Sequence, residues 1–275
     1  MLLPRRDDVD LALVGEARAT TRRVARTFAL ACRLLPREVR DDVYLLYLVF
    51  RTLDDLVDDG RPEADARIAA VEAWSTGGNG HAPTREVAVL GELGTRHVLP
   101  RHAFRDFCAG MRRDLEGAAI DTEGELDRYC YQVAGTVGVV MAAVLGTLEP
   151  ADDDAAALGM AMQRTNILRD IDEDLANGRV YVADHTLRRH GSLAPGRREA
   201  LLRDQIARAD ALYDQGVAGI AKLRCGRRAI AAAAAMYREI LRQIERDGYG
   251  ARAGRAVVPR RRKVLIAARG GVSLA

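Results

Sequence analysis

Residues 163–174 read Gln-Arg-Thr-Asn-Ile-Leu-Arg-Asp-Ile-Asp-Glu-Asp. Apolar Ile167, Leu168 and Ile171 recur among polar residues at helical spacing, so the stretch is expected to be a helix. Asn166, Asp170 and Asp174 stand four residues apart and form one row on one face. An amide and two carboxylates in a row are oxygen ligands suited to a hard cation such as Mg²⁺. Carboxylates four apart cost an isolated helix roughly 0.2–0.5 kcal/mol, which a bound cation would offset. A second acidic cluster, Asp54, Asp55, Asp58 and Asp59, lies far upstream. The two clusters are expected to face each other across a cavity walled by the rest of the chain.

Composition narrows the function classes. The 275 residues are 48% hydrophobic, enough for a sizeable core, and 29% charged, which suits a soluble surface. A net charge of +3 is too small to imply nucleic acid, and one Trp with 5% aromatics argues against base stacking. Cys32, Cys108, Cys130 and Cys225 have no short pairing and are expected to be reduced core thiols of a cytoplasmic protein. The five histidines show no zinc spacing with a cysteine pair. Met1–Asp8 lacks the apolar core of a signal peptide. The uncharged stretch Val133–Leu148 falls short of the roughly 20 residues a membrane span needs, and is expected to be a buried helix. No transmembrane segment is expected, only peripheral contact through which an apolar product would leave. The oligomeric expectation is a monomer or weak dimer.

Nearly the whole chain has helical patterning, and strand signals are scarce. Helices are expected over Val9–Thr21, Thr27–Leu35 and Pro36–Asp59, the last ended by Gly60-Arg-Pro62. Pro62–Trp74 follows, then a loop at Ser75–Thr84, then helices at Arg85–His97 and Arg101–Leu115. A helix from Asp121–Thr122 to Leu148 carries small residues at Ala134, Gly135, Gly138, Ala142 and Gly146, leaving room for another helix or a ligand. The central helix spans Asp152 to Ala176 and stops at Asn177-Gly178. Arg179–Ala183 is extended or turn, and Pro195–Lys222 and Arg227–Arg246 are the last long helices. Gly248-Tyr-Gly250 breaks the chain before a basic tail, Arg260-Arg-Arg-Lys263. One domain is expected over residues 1–275, with 1–20 and 265–275 as loose ends.

The first acidic cluster sits in Tyr47-Leu-Val-Phe-Arg-Thr-Leu-Asp-Asp-Leu-Val-Asp-Asp59. Four Asp at a helix C-terminus oppose the helix dipole, a conflict that metal binding would remove. Paired Asp-rich helices of this kind resemble those with which one class of enzymes holds Mg²⁺ to ionise allylic diphosphates, an apolar cavity shielding the carbocation from water.

Five stretches carry a resemblance. They are Thr27-Phe28 with Leu34-Leu-Pro36; Tyr47 to Asp58 with Arg51, Asp54 and Asp55; Tyr129-Cys-Tyr-Gln-Val-Ala-Gly-Thr-Val-Gly138; Gln163 to Asp174 with Gly178-Arg-Val-Tyr181; and Tyr237 and Tyr249 ahead of the basic tail. In this order, over roughly residues 20 to 265, the chain resembles the squalene/phytoene synthase family, the head-to-head trans-isoprenyl diphosphate synthases.

The resemblance implies an all-α, single-domain isoprenoid synthase (class I terpenoid synthase) helical bundle around a central cavity. It implies Mg²⁺ at Asp54, Asp58, Asp170 and Asp174 with Asn166, and diphosphate contacts from Arg51, Tyr47, Gln163 and Arg169. Arg252 and Arg260–Lys263 are candidates to close over a second diphosphate. Phe28, Tyr129, Val133, Val137, Gly138, Met141 and Leu145 are expected to line a prenyl tunnel, with Thr27 and Tyr249 also in contact with substrate. Tyr129 is also a candidate for the final proton transfer. The chain departs from the family pattern at Ala25, Cys32 and Val139, where Ser, an aromatic and an acidic residue are frequent.

The implied reaction is head-to-head condensation of two farnesyl or geranylgeranyl diphosphates through a cyclopropylcarbinyl diphosphate. Its end point is squalene, dehydrosqualene, hydroxysqualene or phytoene, with NADPH a candidate reductant for the first. Two rivals stand beside it: a terpene cyclase using one substrate molecule, and a non-catalytic helical partner protein.

Overall fold

The computed structural model describes residues 11–78, 84–117 and 119–270. Among these residues there is no strand, only an isolated bridge between Thr147 and Leu223. In chain order the helices are α1 (Leu11–Val24), α2 (Arg26–Cys32), α3 (Arg37–Asp58), α4 (Ala64–Ser75), α5 (Arg85–Arg96), α6 (Arg101–Glu116) and α7 (Glu123–Cys130). A π-helical turn, Tyr131–Gly135, leads into α8 (Thr136–Leu145). Then come α9 (Asp152–Ala176), α10 (Asp184–His190), α11 (Glu199–Ala218) with a short 3₁₀ extension (Gly219–Lys222), α12 (Arg227–Arg246) and α13 (Arg260–Gly270).

Two helices organise the rest. In α3, Leu45, Leu46, Val49, Phe50, Leu53 and Val57 are buried while the acids stay at its C-terminal end. Pro36 caps α3 from outside instead of opening it, and Gly60, with φ of 61°, ends it. In α9, Asp152, Asp153 and Asp154 occupy the first turn, where carboxylates complement the dipole. The helix stops at Asn177, with Gly178 in the left-handed region.

One apolar cluster joins α3, α4, α5, α6 and α8 around Leu46, Phe50, Leu90, Phe104 and Phe107. A second joins α7, α9, α11 and α12 around Tyr129, Ile167, Leu201, Tyr213 and Leu241. The small residues of the α7–α8 run bring the two together. A Cβ added at Gly138 would lie 2.2 Å from the Ala155 carbonyl oxygen, and one at Gly159 2.2 Å from that of Ala134. The room left by these residues is thus filled largely by helix backbone. The π turn falls at this contact, where an inserted residue re-aims the side chains that follow.

Several sequence expectations are corrected. Residues 11–20 form α1, as the helical pattern from Val9 to Thr21 predicts, and because α1 buries Val14, Ala17 and Thr21 this part of the chain is not a loose end. Helix α10 was not anticipated, and α11 begins at Glu199 instead of Pro195. The basic tail forms α13 because Ile266 docks on the small cluster Ala31, Ala232, Ala233 and Met236. Residues 1–10, 79–83 of the expected loop, and 271–275 lie outside the described residues. The helical run 123–145 is long and apolar enough to cross a membrane by length and composition, yet Val139, Val140, Met141, Ala142, Val144 and Leu145 are buried against neighbouring helices. It forms part of the core.

The turn after α12 matters for the site. Gly248, Tyr249 and Gly250 all have positive φ, at 75°, 50° and 71°. The chain therefore reverses and passes α9, where the Gly254 N–H donates to Asp172 at 2.7 Å. Arg198, buried, also donates to both Asp172 oxygens at 2.7 Å.

Candidate active site

A cavity of about 290 Å³ lies between α3 and α9. Phe28, Tyr47, Phe50, Val133, Val137, Gly138, Met141 and Leu145 line its apolar wall. Phe28 and Tyr47 pack ring to ring at 5.3 Å. Arg51, Asp54, Gln163 and Tyr237 bring polar groups to it.

The acidic residues are held by arginines. Arg51 Nη1 donates to Asp54 at 2.7 Å and also pairs with Asp55. Arg179, just beyond α9, pairs with Asp58 at 2.6 Å and so ties the end of one acidic helix to the other. Asp170 accepts from Arg169 Nε at 2.8 Å and from Arg255 Nε at 2.9 Å. Although 40% of the Asp54 side chain remains accessible, protein packs closely around it. That shielding from water pushes its carboxyl up to about 7 against the pull of Arg51, and Asp58, Asp55 and Asp114 add to the rise. Burial likewise raises Asp174 to about 6, with Asp170, Glu173 and Asp58 contributing. The Arg179–Asp58 pair brings the two acidic helix ends towards each other.

The donor set fits a hard cation in chemistry. The Asn166 side-chain oxygen is buried without a hydrogen-bond partner beside these carboxylates, an acceptor still in need of a positive group. Among the described residues no three acidic, His or Cys side chains converge on one point, and Arg51, Arg179 and Arg255 engage the carboxylates instead. Cations held here would need oxygens from a bound diphosphate to complete their shells.

Five residues expected to touch substrate, Tyr129, Tyr249, Thr27, Asn166 and Arg169, are absent from the cavity lining. Tyr129 does not line the cavity: its hydroxyl donates to Asp114 at 3.1 Å and its ring stacks on Tyr181 at 5.4 Å. Burial, then Asp114, holds this phenol well above its ordinary pKa, so it stays protonated. Tyr249 lies beneath Arg203, whose guanidinium covers its ring at 3.9 Å and donates to its hydroxyl at 2.8 Å; it is remote from the cavity. Thr27 is outside the cavity lining and accepts from Lys263 Nζ at 3.1 Å. Arg169 acts as a partner of Asp170, and Asn166 as a weak donor to Gln163 at 3.4 Å.

The structure adds Asp114, Arg179, Tyr181, Arg255 and Tyr237, and of the basic tail it brings Lys263 towards the site. Asp114 on α6 carries no sequence signal, being one acid in an ordinary charged helix; burial raises it to about 6, opposed by the Tyr129 hydrogen bond and raised further by Asp58. Arg179, Tyr181 and Tyr237 lay in motifs already singled out. Lys263 has its ammonium depressed by burial and then by Arg169, Arg255 and Arg26, a cluster of cations of which two pair with Asp170.

A squalene/phytoene synthase family profile matches residues 21–262. This chain belongs to the squalene/phytoene synthase family. Among its relatives, the phytoene synthase of Thermus thermophilus is 41% identical over 238 residues, covering 81% of this chain and 80% of that one. The phytoene synthase of Arthrospira platensis is 35% identical, covering 90% and 89%. A crystal structure of a dehydrosqualene synthase with a ligand superposes with a TM-score of 0.86 at 27% identity, covering 96% of each chain. Squalene synthase HpnC from Alicyclobacillus acidocaldarius gives 0.75 at 27% identity, covering 88% and 97%. The all-α bundle is thus that of the squalene-synthase-type isoprenoid synthases, and this family member is a prenyltransferase.

Proposed function

We propose that the protein joins two molecules of geranylgeranyl diphosphate head to head into a phytoene-type hydrocarbon. The observation that carries this reading is the pairing of an acid-and-arginine mouth with an apolar cavity. Its apolar wall runs from Phe28 and Phe50 to Met141, Leu145 and Ile230, which suits a long prenyl chain. The relatives named phytoene synthase support it further. A farnesyl-based, dehydrosqualene-type reaction is the second reading, favoured by the 0.86 TM-score to a dehydrosqualene synthase.

In the first half-reaction the C1–O bond of one substrate breaks and its diphosphate leaves with the electron pair. Bound Mg²⁺, held by Asp54, Asp58, Asn166, Asp170 and Asp174, would neutralise the charge of that leaving diphosphate. Arg51 stands beside the same position to donate to it. The allylic cation is enclosed by Phe28, Tyr47, Phe50, Val133 and Val137, which exclude water and present ring faces to the positive charge. The alkene of the second substrate captures it, and loss of a proton closes the cyclopropane. Tyr129 already donates its proton to Asp114, so the released diphosphate is the better proton acceptor. The cation cluster around Lys263 would hold the second diphosphate until it leaves in turn. A final proton loss gives the phytoene-type product and consumes no reductant; NADPH enters only on a squalene-type route. The four unpaired cysteines suit a cytoplasmic setting.

Mass spectrometry of products from the C15 and C20 diphosphates, with Mg²⁺ and with or without NADPH, tests this. The expected result is a C40 hydrocarbon from the C20 substrate, unchanged by NADPH. A cyclic product from a single substrate molecule would overturn the reading in favour of a cyclase.

A further inference from the structure

Charge is segregated in this chain. Residues 17–37 hold six arginines and no acid, and residues 248–275 hold six arginines, one lysine and no acid. The remainder carries 29 basic against 39 acidic residues, so the small net charge of +3 conceals an acidic body with two basic segments. The fold brings those segments together. Lys263 of α13 donates to Thr27 of α2 at 3.1 Å, and Ile266 packs against a small cluster that includes Ala31 of α2. Arg22, Arg23, Arg26 and Arg33 on one segment and Arg252, Arg260 and Arg261 on the other are exposed. Exposed apolar side chains stand among them: Val24 and Leu34 on one, Val257 and Leu265, at 68% and 49% exposure, on the other.

We propose that this joint face of α1, α2 and α13 is a docking surface for a bilayer leaflet rich in anionic lipid. Arginines interspersed with exposed Val and Leu suit headgroups above and acyl chains below. Nucleic acid would satisfy the charge but would leave Leu34, Val257 and Leu265 without apolar partners. The face also backs onto the cavity, since Ala25, at the junction of α1 and α2, and Phe28 of α2 line it. An apolar product then has a short route from cavity to bilayer; this last step rests on the function proposed above, whereas the docking itself does not.

Co-sedimentation with vesicles of neutral phosphatidylcholine, or of the same lipid with one-third phosphatidylglycerol, tests the surface. The wild-type chain should partition onto the anionic vesicles and be released by high salt. Arg22→Glu/Arg23→Glu should weaken that partition at least about tenfold. Arg188→Glu/Arg189→Glu on α10, an equal change in charge at exposed sites elsewhere, should leave it near wild type. Leu265→Ser, which removes apolar area without changing the charge, should weaken binding without altering its salt dependence. Equal binding to neutral vesicles, no binding at all, an equal loss in the α10 variant, or preference for duplex DNA over the anionic vesicles would each overturn the proposal. Turnover of Arg22→Glu/Arg23→Glu is measured separately in detergent and should match wild type. Intact vesicle binding with no turnover in the wild type would sink the enzymatic reading and leave the surface standing.

Discussion

Gly159→Ala and Gly138→Ala place one methyl group where α9 meets the α7–α8 run. At each, the new Cβ would lie 2.2 Å from a backbone carbonyl oxygen, Ala134 in one case and Ala155 in the other. Ordinary contact needs about 3.4 Å, so the helices must part by roughly 1 Å, and a backbone neighbour cannot swing aside as a side chain can. Overpacking of this kind costs about 1–3 kcal/mol or more, against a helix-propensity gain of about 1 kcal/mol for replacing Gly. The net expectation for each is a loss of about 1–2 kcal/mol, or about 2–8 °C in Tm. Gly91→Ala in α5 is the control: nothing lies within 4 Å of its added Cβ, so the same substitution should stabilise by about 0.5–1 kcal/mol. Differential scanning calorimetry reads the sign. Turnover gives a second readout, because Gly159 lies on the helix that carries Gln163, Asn166 and Asp170, and a displaced α9 should lower kcat. Gly159→Ala with a Tm at or above wild type would refute the argument that helix backbones, not a vacant groove, meet at these glycines.

Asp54→Asn and Asp170→Asn should each cut turnover by at least about a thousandfold while leaving the far-ultraviolet circular dichroism unchanged; turnover within tenfold of wild type would contradict the acidic row as cation ligand. Ile230→Ala should extend substrate length. Ile230 lies between the main cavity and a smaller apolar void lined by Cys32, Leu35 and Ala229, so its removal should raise use of a C25 diphosphate relative to C20, measured by competition. Asp42 supplies a pH dependence at a distance from the site. It is buried, accepts from His97 Nε2 at 2.7 Å and Arg96 at 3.0 Å, and is held below the ordinary carboxylate range because those bonds outweigh the opposing effect of burial. A depressed folded pKa means stability that is complete above the unfolded value near 4 and lost as pH falls through the folded value. Tm should therefore drop below about pH 4 in the wild type and drop less steeply in Asp42→Asn.

Periodicity alone determined much of this protein. Helix α9 was legible to the residue, because its apolar pattern is bounded by acids at one end and Asn177-Gly178 at the other. The acids at Asp54, Asp58, Asp170 and Asp174 were legible because four-residue spacing fixes a shared face whatever lies around it. Apolar stripes on α3 and the small residues of the α7–α8 run were legible for the same reason. The tertiary structure decided what spacing along one helix cannot carry. Asp114 joins the site from α6 only because that helix packs beside the end of α3, and Tyr129 turns to it, not to the cavity. Tyr249 stands near the site in sequence order but is swung onto Arg203 by three consecutive left-handed residues. The same turn carries Arg255 to Asp170 and lets α13 settle on α2, joining two basic segments that lie more than two hundred residues apart in the chain. Local spacing specifies which side chains share a face; which faces meet depends on packing between distant segments, and that is a property of the folded chain.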